Sequence, residues 1–514
     1  MAQPNGGALG RRQWRLAVLL LLVLLGFAFI GRAVISADDG TMMLSEALGL
    51  FVRGAFSSAE PAAASYSPYW PANPTLHSRY GLYPSLVFVP FLAIAWPLRG
   101  VLGAAGVDAV VALVWAAGAA AACFGFYRVA TALKPDSSPL WIPAFLAGTY
   151  LWPYAADSFI EPWAAAALGF SAGSLLRTAG EDSPFRRALV PCAFWIGACL
   201  LRPVLFVTVP MFVLAALLHE RGRPRERAYA LWLVGLLAAG LVVQLLGNVK
   251  LLGLANQAPP FVYPTLRGFA GTVFLPGRGV LWYAPVVLAG LLAFRKVLTP
   301  ARLLCFGAPL ILLLVAPRWV VWHGGSCWGP RHVLAVLPLL AAPAVLASRH
   351  LVVPLLALGA VLNLPGTIVA AGAFQSYAQL LEPPPGATWP TEGGDRVSEV
   401  TSLTPLYGHA WLFARAVSGD AVPAPWLAAG ARETGHPPAA GEVVSSWSLR
   451  RAMGLPPIPP ILPRLLVHNA LGYLERDRPA DALRYAEEAL LLSPHDRDAP
   501  RLLAEARQRL GAAR

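Results

Sequence analysis

Charged side chains are scarce in this sequence. Asp, Glu, Lys and Arg make up 13% of its 514 residues, against about 25% in soluble globular proteins, so most of the chain cannot be an ordinary water-solvated domain. Lysine is scarcer still, three among 40 bases, and with abundant Arg, Ala and Pro this suggests a GC-rich bacterial genome. The five cysteines are Cys123, Cys192, Cys199, Cys305 and Cys327. With no C-x-x-C pair they support neither a disulfide framework nor a zinc site, and the four inside apolar runs read as core packing. An internal repeat of the kind that marks transporter halves is also absent.

Apolar sequence is abundant: 57% of residues are hydrophobic and the mean hydropathy is +0.57. Apolar runs fall near 16–35, 82–98, 107–127, 139–156, 159–177, 188–201, 203–218, 228–247, 280–294, 303–317, 333–347 and 351–373. They approach the roughly 20 residues a helix needs to cross hydrocarbon. The first run outlasts the roughly 7–15 residues of a signal-peptide core and reads as a retained anchor. The net charge of +13 does not point to nucleic acid, because the arginines sit in short loops between apolar runs, as the positive-inside rule produces.

Charge and parity set the topology. Arg11, Arg12 and Arg15 place the N-terminus in the cytoplasm, and the strongest basic loops are Arg186–Arg187, Arg221 to Arg227, and Arg295 to Arg302. All of these fall inside only if one early run fails to cross. Run 82–98 is the best candidate, because Pro84, Pro90 and Pro97 break helical hydrogen bonding and Arg79 and Arg99 flank it. The expectation is an all-α polytopic membrane protein with about eleven transmembrane helices and the tail outside from Phe374. Runs 188–201 and 203–218 read as a hairpin with Arg202 at the outer surface, because a charge at mid-membrane costs at least about 2.5–3.5 kcal/mol.

Three regions follow: a membrane module over 1–373, a Pro/Gly-rich irregular region over 374–460, and a helical segment over 461–514. Within the last, Tyr473, Ala482, Ala489 and Pro494 match tetratricopeptide-repeat spacing, with a generic amphipathic hairpin an equal alternative. One repeat cannot bury a continuous core, so residues 464–510 either cap this domain or dock a protein partner.

On the outer side this topology collects Asp38, Asp39, Arg79, Asp157, Glu161, Arg202, Arg278, Arg318, His323, Arg331 and His332. Asp38 and Asp39 precede an amphipathic stretch in which Met43, Ala47, Leu50 and Val52 oppose Ser45, Glu46 and Arg53. A carboxylate there serves either as a general base or as a helix cap, and the residues alone weigh the two evenly. The arginines suit a phosphate, which guanidinium pairs bidentately; the blander reading is a lipid-headgroup contact. Trp322 to His332 is the densest polar segment. Its two histidines lack further ligands at helical spacing and read as structural or hydrogen-bonding. A similar elbow runs from Leu275 to Pro285.

At these residues the chain resembles the GT-C superfamily of membrane glycosyltransferases, the protein O-mannosyltransferase and aminoarabinose transferase type. The resemblance covers about residues 14–373. Its motifs, in order, are Ser36-Ala37-Asp38-Asp39-Gly40, Arg79-Tyr80-Gly81-Leu82-Tyr83-Pro84, Glu161-Pro162, Leu201-Arg202-Pro203, the Pro276-Gly277-Arg278-Gly279 elbow and Gly329-Pro330-Arg331.

The resemblance implies transfer of a sugar from a polyprenyl-phosphate donor to an acceptor on the periplasmic side of the bacterial cytoplasmic membrane. It assigns the base to Asp38, with Asp39 beside it where many members have Glu. It makes Arg79 the nearest match to a basic residue that contacts donor phosphate in some members, and maps a second outer acid to Asp157 or Glu161 as a substrate contact. The residues themselves add Arg202, Arg278 and Arg331 as phosphate candidates and Tyr80 and His323 as substrate candidates. Metal dependence varies in the family, so a divalent cation is left open and no cofactor is assigned. The implied partners are the polyprenyl-phosphate sugar, its acceptor and the bilayer, with no nucleic acid. The rival readings are a transporter or lipid flippase, and a catalytically inactive scaffold that docks partners through its C-terminal helices.

Overall fold

The computed structural model describes residues 6–32, 38–59, 82–156, 159–177, 183–223, 225–246, 264–318, 327–368 and 460–512, with isolated positions between 406 and 414. Among the described residues the structure is helical, with no strand. The helices are α1 (Gly6–Arg32), α2 (Asp38–Arg53), α3 (Leu82–Leu86), α4 (Val89–Ala95), α5 (Arg99–Leu133), α6 (Trp141–Ala147), α7 (Leu151–Tyr154), α8 (Glu161–Leu175), α9 (Pro184–Leu201), α10 (Val209–Glu220) and α11 (Glu226–Leu245). They continue with α12 (Thr265–Val273), α13 (Val280–Tyr283), α14 (Val286–Leu292), α15 (Thr299–Arg302), α16 (Ala308–Val315), α17 (Leu337–Ala341), α18 (Arg349–Ile368), α19 (Ile461–Glu475), α20 (Pro479–Leu492) and α21 (Ala499–Ala512).

Seven helical stretches among the described residues are long and apolar enough to cross a membrane: Gly10–Phe29, Arg99–Leu133, Pro184–Leu201, Pro203–Glu220, Glu226–Leu245, Thr299–Arg318 and Arg349–Ile368. The other passes are short or broken. They are α6 with α7, α8, α13 with α14, and the stretch Arg331–Leu346, where Pro338 and Pro343 divide the helix into 3-10 and α pieces. Together they give the arrangement of about eleven passes expected from the apolar runs. Leu22, Leu231 and Val361 are among the large apolar side chains left exposed, as on a surface that faces lipid.

Run 82–98 divides at its prolines into α3 and α4, of five and seven residues. At about 1.5 Å per residue neither reaches across about 30 Å of hydrocarbon. Gly103 then takes φ +63° inside α5, a left-handed conformation that glycine adopts without steric cost. The chain turns there from the α3–α4 layer into its long pass.

The centre of the bundle is α5 against α8, where Gly125 and Gly169 face each other. A Cβ on Gly169 would come within 2.6 Å of the Gly125 backbone, and small residues of this kind let helices in membranes approach closely. Opposite ends of the bundle differ. At one end, Leu133, Leu176, His219, Lys296 and Leu346 surround a small cavity, and Trp14 of α1 packs edge-on against Tyr127 at 5.3 Å. This basic face therefore gathers the N-terminal arginines and the basic loops after α5, α8, α10 and α14. The other end holds α2, α3, α4 and the C-terminal helices.

Those C-terminal helices do not stand alone. Leu462, Leu466, Tyr473, Ala482 and Ala489 share one apolar cluster with Met43, Leu44 and Leu48 of α2, Leu92 of α4 and Val107 of α5. The unit that seemed too small for a core of its own completes one with the membrane module. Packing of the tail also changes α2. Its polar positions Ser45 and Glu46 are 6% and 0% exposed, so the polar side of this amphipathic stretch is covered. Region 374–460 lies outside the described residues apart from the isolated positions.

Candidate functional site

The site is built from α8 outward. Pro162 lies in the first turn of α8, where its missing N–H costs nothing and its fixed φ favours helix initiation. This places Glu161 at the helix N-terminus, where the macrodipole favours an anion. Glu161 is fully buried. Its Oε1 accepts a hydrogen bond from Arg331 Nε at 2.6 Å and lies 3.2 Å from Arg202 Nη2. Oε2 is buried with no hydrogen-bond partner among the described residues.

Each arginine arrives by its own local logic. Helix α9 ends at Leu201, and Arg202 turns extended at φ −138°, ψ 92°, because the following Pro203 disfavours helical backbone at the residue before it. The guanidinium thus sits at the tip of the α9–α10 hairpin, where its Nη2 donates to His332 Nδ1 at 3.0 Å. Arginine only donates, so Nδ1 is the acceptor and the neutral ring carries its proton on Nε2. Arg331 lies with its guanidinium 4.2 Å from the ring centroid of Phe159, a cation–π contact.

The segment that delivers Arg331 is held from several sides. Buried Arg278 donates through Nη1 to the carbonyls of Cys327 and Gly329 and lies 3.2 Å from Cys327 Sγ. Gly329 has φ +63°, and Trp328 Nε1 donates to Asn363 Oδ1 at 2.8 Å. Arg278 is therefore engaged with backbone, joining the 275–285 elbow to the segment before Arg331. Among the described residues no three His, Cys, Asp or Glu side chains converge on a point that could hold a metal ion.

An apolar groove of about 410 Å³ opens on the bundle, walled by Tyr83, Trp163, Phe170, Phe194, Gly197 and Leu201. Trp163 lies two residues past Glu161, and Leu201 adjoins Arg202. Ile160 belongs to the apolar cluster that contains α2, and Leu201 packs against it. The structure brings Glu161, Arg202, Arg331 and His332 together, with Arg278 on the backbone just before Arg331.

Asp38 and Asp39 open α2. Arg79, Tyr80, Asp157 and His323 lie outside the described residues. Of the two acids left open by the sequence, Glu161 lies on the arginine pair, and Asp157 is not among the described residues. His332, assigned no ligand by the resemblance, has the hydrogen-bonding role expected of such a histidine.

No protein-family profile matches the chain, and no curated protein matches it in sequence. Two solved structures align with it. ArnT from Cupriavidus metallidurans bound to undecaprenyl phosphate does so at 14% identity and a TM-score of 0.47, covering 95% of this chain and 80% of that one. ArnT from the same organism in the apo state aligns at 14% identity and a TM-score of 0.44, covering 92% and 79%. No residue role follows from a likeness of this size.

A second buried glutamate cluster lies at the other end of the α9–α10 hairpin. Glu220 Oε1 accepts from Arg223 Nη1 at 2.9 Å, and Oε2 lies 3.0 Å from Arg187 Nη2. Arg223 Nη2 donates to His219 Nε2 at 3.2 Å. The sequence reading took these bases only as loop charges. Helix α9 has 18 residues, which at about 1.5 Å each separates the two clusters by roughly the thickness of the hydrocarbon core.

Proposed function

We propose that this protein transfers a sugar from a polyprenyl-phosphate donor to an acceptor hydroxyl or amine at the periplasmic face of the bacterial cytoplasmic membrane. The observation that carries this reading is the convergence of Arg202 and Arg331 on buried Glu161, in a bundle that also carries an apolar groove. Guanidinium matches phosphate geometry, and an apolar groove suits an isoprenoid chain arriving from the bilayer. The basic face at the other end of the bundle is the cytoplasmic one by the positive-inside rule, which leaves α2, the Glu161 cluster and the tail outside.

In this reading Glu161 orients the two guanidiniums, and Arg278 holds the backbone that delivers Arg331. The arginines meet the donor phosphate and stabilise the charge that develops on it; Arg79 is a further candidate for that contact. Asp38 takes the acceptor proton, with Asp39 beside it. The acceptor oxygen or nitrogen bonds to the anomeric carbon as the bond from that carbon to the phosphate oxygen breaks. Polyprenyl phosphate leaves with the electron pair, and configuration inverts. Tyr80, Asp157 and His323 are candidates for substrate contacts.

The test is transfer from a panel of radiolabelled polyprenyl-phosphate sugars in membranes that contain cognate acceptors. Label should move to an acceptor with the native protein and not with Asp38→Asn at equal membrane abundance. Full transfer by Asp38→Asn would remove the assigned base. No transfer from any donor by the native protein would leave the transporter and scaffold readings ahead.

A further inference from the structure

The C-terminal helices meet the membrane module through buried polar contacts as well as apolar packing. Asn469 of α19 is fully buried; its Oδ1 accepts from Ala59 N at 2.9 Å and its Nδ2 donates to Ser45 Oγ at 2.6 Å. Arg53, the last residue of α2, donates through Nε to Asp481 at 2.7 Å and through Nη1 to Tyr473 Oη and Ser57 Oγ, both at 2.6 Å. Arg99, at the start of α5, grips Glu488 with two hydrogen bonds of 2.7 and 2.8 Å. Asp108 of α5 accepts from the backbone N–H groups of Ile461 and Leu462 at 2.5 and 3.3 Å, taking up orphan donors of the first turn of α19. Gly472 packs so closely on the Ala59 carbonyl that a Cβ would overlap it.

Apolar packing alone tolerates small slips. Buried hydrogen bonds do not, because a polar group left unpaired away from water loses its hydration with nothing in return. Two of these anchors fall on α5 and two on α2 and the segment after it, so the tail fixes α2 against the bundle in a single register. The same polar groups would be needed by a partner peptide lying across α19 and α20, and they are already engaged within the chain.

We propose that residues 461–512 are an intramolecular clamp that positions α2, and with it the acid pair at its first turn, and that Arg53, Asn469 and Asp481 are positioning residues for the reaction. The catalytic half of this statement rests on the function proposed above; the mechanical half does not. The clamp is tested by hydrogen exchange on the full chain in lipid nanodiscs, without substrate, comparing native protein, Arg53→Asp, Asn469→Ala and the Arg53→Asp/Asp481→Arg exchange.

Amides of residues 38–53 should exchange at least about tenfold faster in either single variant, since opening follows the free energy of the local contacts. Amides of α9 and α10 should be unchanged, and the charge-exchanged pair should recover part of the protection. Unaltered exchange over 38–53 in both single variants overturns the clamp. In the transfer assay the same variants should lower kcat and leave KM for the polyprenyl-phosphate donor near native, because the donor phosphate is held elsewhere. A raised donor KM with native kcat overturns the positioning role. Absence of transfer in the native protein counts against the proposed function and leaves the exchange result standing by itself.

Discussion

The two ends of the α9–α10 hairpin carry similar residue sets in different settings. Each has a buried glutamate, two arginines and a histidine: Glu161 with Arg202, Arg331 and His332, and Glu220 with Arg187, Arg223 and His219. At the basic face, His219, Glu220 and Arg223 come from one helix end and the turn after it, with the Arg223 side chain 27% exposed. At the other face, Glu161, Arg202 and Arg331 come from three separate segments. A helix end builds the first cluster almost alone, whereas the second exists only because the fold brings distant loops together. Composition does not separate the two clusters; the distance along the chain between their members does.

The comparison can be broken or sharpened by paired substitutions, and the largest difference should come from the arginines. Arg331→Ala should weaken binding of radiolabelled polyprenyl phosphate by about 10²-fold, since truncating one partner of a buried hydrogen-bonded charge pair costs about 2–5 kcal/mol. Arg223→Ala should leave that binding at the native value, and equal losses in the two variants would erase the distinction.

Next come the glutamates. Glu161→Gln and Glu220→Gln each strand buried arginines, so both should destabilise by about 3–5 kcal/mol in thermal unfolding of the detergent-solubilised protein. Added polyprenyl phosphate should raise the Tm of Glu220→Gln, because a ligand that binds only the folded state stabilises it. It should raise that of Glu161→Gln much less. A smaller effect is expected for Arg202→Lys, which keeps the charge and loses the planar fork; donor KM should rise with stability near native. The smallest is the stability cost of Arg223→Ala, within about 1 kcal/mol, because that guanidinium is partly in water.

Much of the membrane architecture was legible. Runs of apolar residues, prolines at 84, 90 and 97, and the sign of the loop charges led to a short interfacial segment and the hairpin at Arg202-Pro203, because these depend on local hydrogen bonding and on solvation by lipid. The tail was legible only as helices: Tyr473, Ala482 and Ala489 are buried as their spacing suggested, but nothing local showed that α2 and α5 would complete their core. The burial of Ser45 and Glu46 was not legible for the same reason. A polar face predicts solvent only when no partner with matching groups covers it, and Asn469 pairs with Ser45.

The sequence by itself determined that the chain lives in a membrane, roughly where its apolar passes fall, and which loops carry its few charges. Those properties follow from transfer energies and backbone chemistry summed over neighbouring residues. Only the tertiary structure decided that Glu161 would hold Arg331 from 170 positions away, that Arg278 would brace a backbone segment, and that the tail would seat on α2. Contacts of that kind depend on which distant side chains share one small buried volume, and packing sets this where local pattern cannot.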